Sequence, residues 1–254
     1  MKLGAQLYTV REYTQTVADF EETIKKIAQI GYQYVQISGI GPILTQRVAD
    51  ICKEYGISIP ITHTNPTRIK NETDAVIAEH RIMGANYIGI GAIPHGYKLN
   101  PKGVRRFIND YTPAAEKIRA AGMTLMYHNH DFEFEKYGKK IMLTYLIEEF
   151  PQLAFTLDTY WVQAGGADPA AWIKSLSERV DVLHLKDMAW AGGNQIMAAV
   201  MNGNLNWESI FAASRQAGVK YAMVEQDDCY GADPFKCLAK SYNNLTKELP
   251  KWYA

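Results

Sequence analysis

The segment Leu125-Met126-Tyr127-His128-Asn129-His130 is an apolar run that ends in imidazole side chains. Three later apolar runs also end in a residue type that binds metals, namely Asp158, His184 and Glu225. Helix-like segments separate these runs, so we expect parallel strands whose carboxyl ends meet at one point. Imidazole and carboxylate groups at such a point suit a divalent metal that keeps room for a substrate. The pattern therefore indicates an enzyme.

Strand and helix signals alternate along the whole chain. Strand candidates are residues 2–8, 34–38, 58–63, 87–92, 124–130, 153–158, 180–186 and 221–226. Five helix candidates end just before a glycine, the residue expected in the left-handed conformation after a helix; they are residues 20–30, 44–55, 73–83, 104–121 and 207–217. The pairs Asp168-Pro169 and Asp233-Pro234 predict the starts of two further helices.

Eight strand-helix units in 254 residues are typical of a (β/α)8 TIM barrel. Since no linker divides the chain, we predict a single α/β domain over residues 1–254. A doubly wound open sheet is the alternative architecture. No G-x-G-x-x-G sequence follows the first strand, which removes the main argument for dinucleotide binding.

Composition excludes several classes of function. The chain is 47% hydrophobic, which supplies a sizeable core. Its 27 basic and 27 acidic residues balance, whereas a protein that binds nucleic acid usually carries a basic surplus. No apolar stretch reaches the roughly 20 residues of a membrane span, and no signal-peptide pattern is present. We therefore expect a cytoplasmic protein with neither nucleic acid nor membrane as a partner. The odd number of cysteines, three, also fits a cytoplasmic protein.

Two loops are expected at the carboxyl ends of the strands, where barrel enzymes build their active sites. Residues 94–102 follow the fourth strand, and residues 188–205, which include Gly192-Gly193, follow the seventh. The longer loop is interpreted either as a lid or as a contact with a neighbouring subunit in a homo-oligomer.

The histidines of the fifth strand are candidates for two tasks. His128 and His130 share one strand face, about 7 Å apart at the backbone, so we expect one to bind metal and the other to contact substrate. Glu133 lies in the loop beyond. It is a candidate acid or base, and a charged loop is the alternative.

The later strands carry the remaining ligand candidates. Asp158 is expected to bind metal rather than to cap the following helix, because an unpaired carboxylate on a buried strand is costly. His184 and Lys186 share one strand face, and Glu225 is expected to point into the barrel mouth. Asp227 and its neighbour Asp228 are interpreted as a solvated turn.

Weaker candidates occur elsewhere in the chain. Gln6, Gln36 and His63 end strands of the first half and could contact sugar hydroxyl groups, although Gln36 could equally be a buried polar residue. Tyr8 and Trp161 could form an apolar wall for a sugar ring. Cys229 follows Glu225 and is interpreted as a spare thiol.

Four motifs in order resemble the xylose isomerase-like barrel superfamily, also called the sugar phosphate isomerases/epimerases. They are Tyr127-His128-Asn129-His130-Asp131-Phe132-Glu133-Phe134, Leu157-Asp158-Thr159-Tyr160-Trp161, Val182-Leu183-His184-Leu185-Lys186-Asp187 and Val224-Glu225. The segment Gly203-Asn204-Leu205-Asn206-Trp207 is similar to the family's sequence before the seventh helix, with Asn204 in place of a second glycine. The resemblance covers essentially the whole chain.

The resemblance implies one divalent metal, commonly Mn, Mg, Co or Zn, held by Glu, Asp, His and Glu from successive strands. Asp158, His184 and Glu225 match three of these positions, and the first glutamate falls on His128. A histidine there resembles the inosose dehydratase branch. Trp161 stands where epimerases often place a substrate-binding histidine. We therefore predict a metal site of His128, Asp158, His184 and Glu225, with His130 as the alternative first ligand.

The resemblance also implies proton abstraction next to the carbonyl of a sugar or cyclitol. We predict that Glu225 pairs with one of His130, Lys186 or Glu133 as acid and base. The first hypothesis is a sugar isomerase or epimerase. A dehydratase or lyase of keto-inositols or 3-keto sugars is the second, and a non-catalytic sugar-binding barrel is the third. Because His128 replaces one glutamate of the epimerase pair, little 3-epimerisation of free ketoses is expected.

Overall fold

The computed structural model describes residues 1–253, and the side chains of residues 1–248. Eight parallel strands form a closed barrel in the order β1-β8-β7-β6-β5-β4-β3-β2. The strands are β1 (Lys2–Gln6), β2 (Tyr34–Ile37), β3 (Ser58–His63), β4 (Tyr87–Ile90), β5 (Thr124–His128), β6 (Ala154–Asp158), β7 (Val182–Leu185) and β8 (Tyr221–Val224). The predicted (β/α)8 architecture is confirmed, and the open-sheet alternative is wrong because β1 pairs with β8.

Helices follow every strand and surround the barrel. They are α1 (Val17–Ile30), α2 (Thr45–Glu54), α3 (Pro66–Asn71), α4 (Thr73–Met83), α5 (Pro101–Ala120), α6 (Met142–Glu149), α7 (Thr159–Ala164), α8 (Pro169–Ser175), α9 (Trp207–Ala217) and α10 (Pro234–Tyr253). No helix in the described part of the chain is long and apolar enough to cross a membrane.

Local sequence explains where the helices begin and end. The Thr16 side chain accepts a hydrogen bond from the backbone N–H of Asp19 and so caps the start of α1. The helix stops at Gly31, whose φ of 117° is strained for residues with a Cβ atom. Asp168 caps α8 as predicted, with Pro169 at its first position.

An apolar layer inside the barrel supports the polar carboxyl ends of the strands. Met126, Val182 and Met223 are fully buried and belong to this layer. Side chains alternate along a strand, so residues two positions apart lie on the same face. Each of these apolar residues therefore lies directly beneath the residue that follows it by two positions. The positions above them are occupied by His128, His184 and Glu225.

Three predicted segments differ from the structure. Strand β1 ends at Gln6 because Leu7–Tyr13 forms a 3-10 helix, and β5 ends at His128. Residues 188–205 were expected to form a loop, but Asp187–Ala191 and Asn194–Ala198 pair as an antiparallel hairpin. Its turn is Gly192-Gly193, with φ values of 58° and 78°, which suit a two-residue hairpin turn.

The Asp187 carboxylate fastens this hairpin to the barrel. It accepts hydrogen bonds from the Met188 and Gly203 backbone N–H groups and from the Trp207 indole. A Cβ atom at Gly203 would overlap the Met188 carbonyl oxygen and crowd the Asp187 carboxylate. The glycine of the Gly203-Asn204-Leu205-Asn206-Trp207 motif is therefore required by this close approach.

Candidate metal centre

Four potential metal ligands converge at the carboxyl ends of neighbouring strands. His128, Asp158, His184 and Glu225 are all buried, and one ligand atom from each lies within 4.8 Å of the others. His128 and Asp158 close β5 and β6, His184 lies within β7, and Glu225 follows β8. The structure thus brings together the four residues predicted as a metal site.

Hydrogen bonds on the outer side of both imidazoles orient the rings. His128 Nδ1 lies 2.9 Å from the Gly91 carbonyl oxygen, so it carries a proton and donates to that oxygen. His184 Nε2 lies 2.7 Å from Gln36 Oε1 and donates in the same way. The other ring nitrogens, His128 Nε2 and His184 Nδ1, therefore face the carboxylates of the cluster. Outer partners of this kind are the usual means of fixing metal-binding histidines.

The inner nitrogens and the carboxylate oxygens need a cation or proton between them. His128 Nε2 lies 3.2 Å from Asp158 Oδ2, and His184 Nδ1 lies 2.9 Å from Glu225 Oε2. Burial lowers the pKa of His128, which favours the neutral ring with a lone pair on Nε2. Burial opposes protonation of His184 as well, but Glu225 and Asp158 raise its pKa, so Nδ1 attracts either a proton or a metal cation.

Lys186 lies among these carboxylates and is 1% exposed. Its ammonium nitrogen contacts Asp158 Oδ2 at 3.0 Å, Glu225 Oε2 at 2.8 Å and Asp227 Oδ2 at 2.9 Å. Burial opposes the ionisation of these groups, but the lysine holds the pKa values of Asp158 and Glu225 below their usual range. The ionised carboxylates of Asp158 and Glu225, together with Asp227 when it is ionised, outnumber the single ammonium, and a bound cation would offset this excess of negative charge. The donor set and its charge fit a divalent metal.

Asp158 caps the following helix and is also placed where a metal ligand was predicted. Its Oδ2 atom belongs to the ligand cluster, while its Oδ1 atom accepts from the Trp161 backbone N–H at 3.0 Å and caps α7. The cap and the cluster use different oxygens, so one role does not exclude the other.

A cavity of about 390 Å³ opens above the cluster. The predicted site residues that line it are Gln6, Tyr8, His63, His128, His130, Lys186 and Glu225. Asp158 and His184 are fully buried and stand outside its lining. Trp161 lies beside the cavity, with its ring centroid 5.3 Å from that of His130.

Several polar atoms near the cavity are without a hydrogen-bond partner among the described residues. They are His63 Nε2, His130 Nδ1 and Trp161 Nε1. Buried polar groups are normally paired, so these atoms are suited to bind the hydroxyl or carbonyl groups of a ligand. Burial, reinforced by His128, lowers the pKa of His130 to about 3, which makes this ring neutral.

Glu133 does not line the cavity, contrary to its predicted role as an acid or base. Its side chain is fully buried. One oxygen accepts from the Tyr127 hydroxyl at 2.5 Å and the other from the His130 backbone N–H at 2.7 Å. Burial raises the pKa of the Glu133 carboxyl to about 7. These contacts assign Glu133 to holding the His130 segment in place.

Sequence reasoning missed three cavity residues with polar side chains, namely Arg11, Ser38 and Asp227. The interpretation of Asp227 as part of a solvated turn is wrong, because its carboxylate pairs with Lys186. Burial and the nearby Glu225 raise the pKa of Asp227 to about 7. Ser38 shares a strand face with Gln36, which could have revealed it. No local signal marks Arg11, which lies in the 3-10 helix after β1, or Asp227, which lies in the loop after β8.

A second cavity of about 330 Å³ borders the first, and Arg11 and Asp227 line both. The Arg11 guanidinium lies 4.3 Å from the centre of the Tyr8 ring. Its Nη1 donates to the carbonyl oxygens of Tyr8 and Asp227 at 2.8 and 3.1 Å. The wall between the two cavities is therefore held by backbone contacts.

A family model described as xylose isomerase-like TIM barrel matches residues 24–245. The chain belongs to this family. This membership confirms the resemblance inferred from the strand-end motifs. No curated protein matches the chain.

Several solved structures share the fold of this chain at low sequence identity. A sugar phosphate isomerase/epimerase from Parabacteroides distasonis has a TM-score of 0.82 at 21% identity, covering 96% of this chain and 93% of its own. A probable 3-DHS dehydratase from Bacillus anthracis has a TM-score of 0.72 at 16% identity, covering 97% and 99%. An L-ribulose 3-epimerase has a TM-score of 0.73 at 14% identity, covering 99% and 95%. The fold is thus shared by proteins that are named for more than one reaction.

Proposed function

We propose that this protein is a divalent-metal-dependent enzyme that moves a proton next to the carbonyl of a sugar or cyclitol. One observation carries the proposal. Four buried ligand groups of two chemical types lie within 4.8 Å of one another, next to a cavity large enough for a small ligand. A non-catalytic sugar-binding barrel would have no need of a buried cluster with this excess of negative charge.

His128, Asp158, His184 and Glu225 would hold the metal. A bound divalent ion would polarise the carbonyl and stabilise the negative charge that follows proton loss. The Gln6 amide donates to Glu225 Oε1 at 2.9 Å, and this bond would fix the orientation of the carboxylate. The candidate ions are Mn, Mg, Co and Zn.

Proton transfer is assigned to groups that line the cavity. Glu225 remains the first member of the acid and base pair, and His130 or Lys186 the second. Neutral His130, whose Nδ1 has no hydrogen-bond partner in the described part of the chain, could accept a proton. The Lys186 ammonium could donate one or stabilise an oxyanion. Asp227 joins these candidates because it lines the cavity.

A dehydratase or lyase acting on keto-inositols or 3-keto sugars is the second candidate function. Glu225 and Asp227 both contact the Lys186 ammonium, so the carboxylates of the cavity are gathered around one cation. His63, His128 and His130 lie close together through ring contacts of 5.2 and 4.8 Å. Epimerisation needs proton delivery to both faces of one carbon, whereas elimination can proceed from one face.

The proposal is tested by exchange of solvent deuterium into a panel of keto sugars and keto-inositols, followed by NMR with and without MnCl2. We expect metal-dependent exchange into at least one substrate and none with Asp158→Ala. Product analysis separates isomerisation, epimerisation and elimination, and fructose–psicose interconversion is expected to be slight. If the wild-type chain holds metal but exchanges no proton in any substrate, the enzymatic proposal fails.

A further inference from the structure

The ammonium group of Lys186 occupies the oxygens that a metal would need. Its contacts at 3.0 and 2.8 Å are with Asp158 Oδ2 and Glu225 Oε2. These same oxygens face the inner nitrogens of His128 and His184. The Lys186 ammonium and a bound metal would therefore compete for the same two carboxylate oxygens.

Asp227 gives the ammonium a third partner outside the ligand cluster. Its Oδ2 atom lies 2.9 Å from Lys186 Nζ, while its backbone oxygen is held by Arg11 Nη1. The Lys186 ammonium also lies 5.4 Å from the Trp161 ring centre. Lys186 can thus leave Asp158 and Glu225 and keep a carboxylate partner, with an aromatic face beside it.

We propose that Lys186 and Asp227 form an internal exchange pair that sets the metal affinity of the centre. Lys186 holds Asp158 and Glu225 in place and competes with the metal for their oxygens. Asp227 receives the ammonium when the metal binds. Two cations a few ångströms apart repel strongly in a buried site, so the position of Lys186 determines how tightly the metal is held.

Calorimetric titration with MnCl2, without substrate, tests this proposal. Lys186→Met should bind Mn²⁺ tighter by on the order of 10-fold or more, because a competing charge is removed. Asp227→Asn should bind it weaker by about 10-fold. In the double variant, the effect of Asp227→Asn should shrink to less than about 3-fold, because no lysine remains to be displaced.

Lys220→Met is the matched control. It removes the same charge at the opposite end of the barrel, where Lys220 pairs with Asp181 at 3.0 Å, and should leave the affinity unchanged. Unchanged or weaker binding in Lys186→Met would overturn the proposal. So would an equal effect of Asp227→Asn with and without Lys186, which would mean that Asp227 acts only as a nearby negative charge.

The experiment separates this proposal from the proposed function on which it rests. If the wild type binds no Mn²⁺, both the metal centre and the exchange pair fail. If the wild type binds Mn²⁺ and the variants do not differ, only the exchange pair fails. Should Lys186→Met not fold, wild-type affinity in Asp227→Asn, whose side chain lies in a partly exposed loop, still contradicts the proposal.

Discussion

Gln36 reaches across the barrel from β2 and orients His184 on β7. Its Oε1 atom accepts from His184 Nε2 at 2.7 Å, which leaves Nδ1 to face the cluster. We expect Gln36→Leu to weaken Mn²⁺ binding by about 10- to 100-fold, because the ring loses its outer partner. Gln36→Glu keeps an acceptor and should retain the affinity. Calorimetry with both variants tests this, and equal affinity of Gln36→Leu and wild type would contradict it.

Glu133 should make stability depend on pH. Burial raises its pKa to about 7, above the ordinary carboxyl value of about 4.3. The folded chain then binds more protons than the unfolded chain between these values, so its contribution to stability is complete below about pH 4.3 and is lost as pH rises to about 7. The loss should approach about 4 kcal/mol.

Urea unfolding of the wild type and of Glu133→Gln, measured from pH 4 to pH 8, tests this titration. Glutamine keeps the shape of the side chain but does not titrate in this range. The stability of the wild type relative to the variant should fall as pH rises. A difference that is constant across the range would show that Glu133 does not carry the shift.

Among individual side chains, the four residues of the ligand cluster could be predicted from the sequence, but some residues that surround the cluster could not. His128, Asp158, His184 and Glu225 end apolar strands, and a strand end in a parallel barrel has a known direction. Glu133 and Asp227 lie in the loops beyond, where no periodicity fixes the direction of a side chain. Glu133 turned away from the cavity to bind Tyr127, and Asp227 turned towards Lys186.

The folded structure of the connection after β7 requires a glycine at position 203. Gly203 lies against the Asp187 carboxylate and the Met188 carbonyl. Gly203→Ala should lower the free energy of unfolding by about 2–4 kcal/mol, because the added methyl group forces these acceptors away from their donors. Hydrogen exchange within residues 188–205 should also rise. Asn204→Ala, at the exposed next position, is the control and should change stability little.

Helix ends were predicted better than the structure of long connections. The α4 and α9 helices end before Gly84 and Gly218, as expected from the glycine signal. The hairpin at Asp187–Ala191 was missed although Gly192-Gly193 is a turn sequence, because its flanking strands lack a clear alternation. The α6 helix was also missed, since no glycine follows Glu149.

Metal binding should stabilise the whole barrel. The four ligands come from four different strands, so a bound ion would link elements that are distant in sequence. Free Mn²⁺ at about 100 times its dissociation constant should add about 2.7 kcal/mol to the free energy of unfolding. Thermal unfolding with and without MnCl2 measures this. Asp158→Ala should show no shift, and a shift equal to that of the wild type would mean that Mn²⁺ binds elsewhere.

The barrel as a whole could be predicted from the regular alternation of strands and helices, but its closure could not be derived from any local pattern. Lys2 pairs with Tyr221 and Ala5 with Val224, and no short-range signal specifies such a pairing. Closure of the barrel was inferred from the count of eight strand-helix units. A homo-oligomer stays a prediction.

The hairpin after β7 has a consequence for the kinetics of ligand entry. Beyond Asp187, it is fastened by bonds from Gln195 Nε2 to the Tyr160 hydroxyl, from the Met197 N–H to the Tyr230 hydroxyl and from the Val200 N–H to Ser241 Oγ, each at 3.0 Å. We therefore expect this segment to stay in place when a ligand enters, rather than to move as a lid. Stopped-flow mixing with a ligand should therefore give an observed rate that rises linearly with ligand concentration. A plateau would reveal a slow opening step before binding.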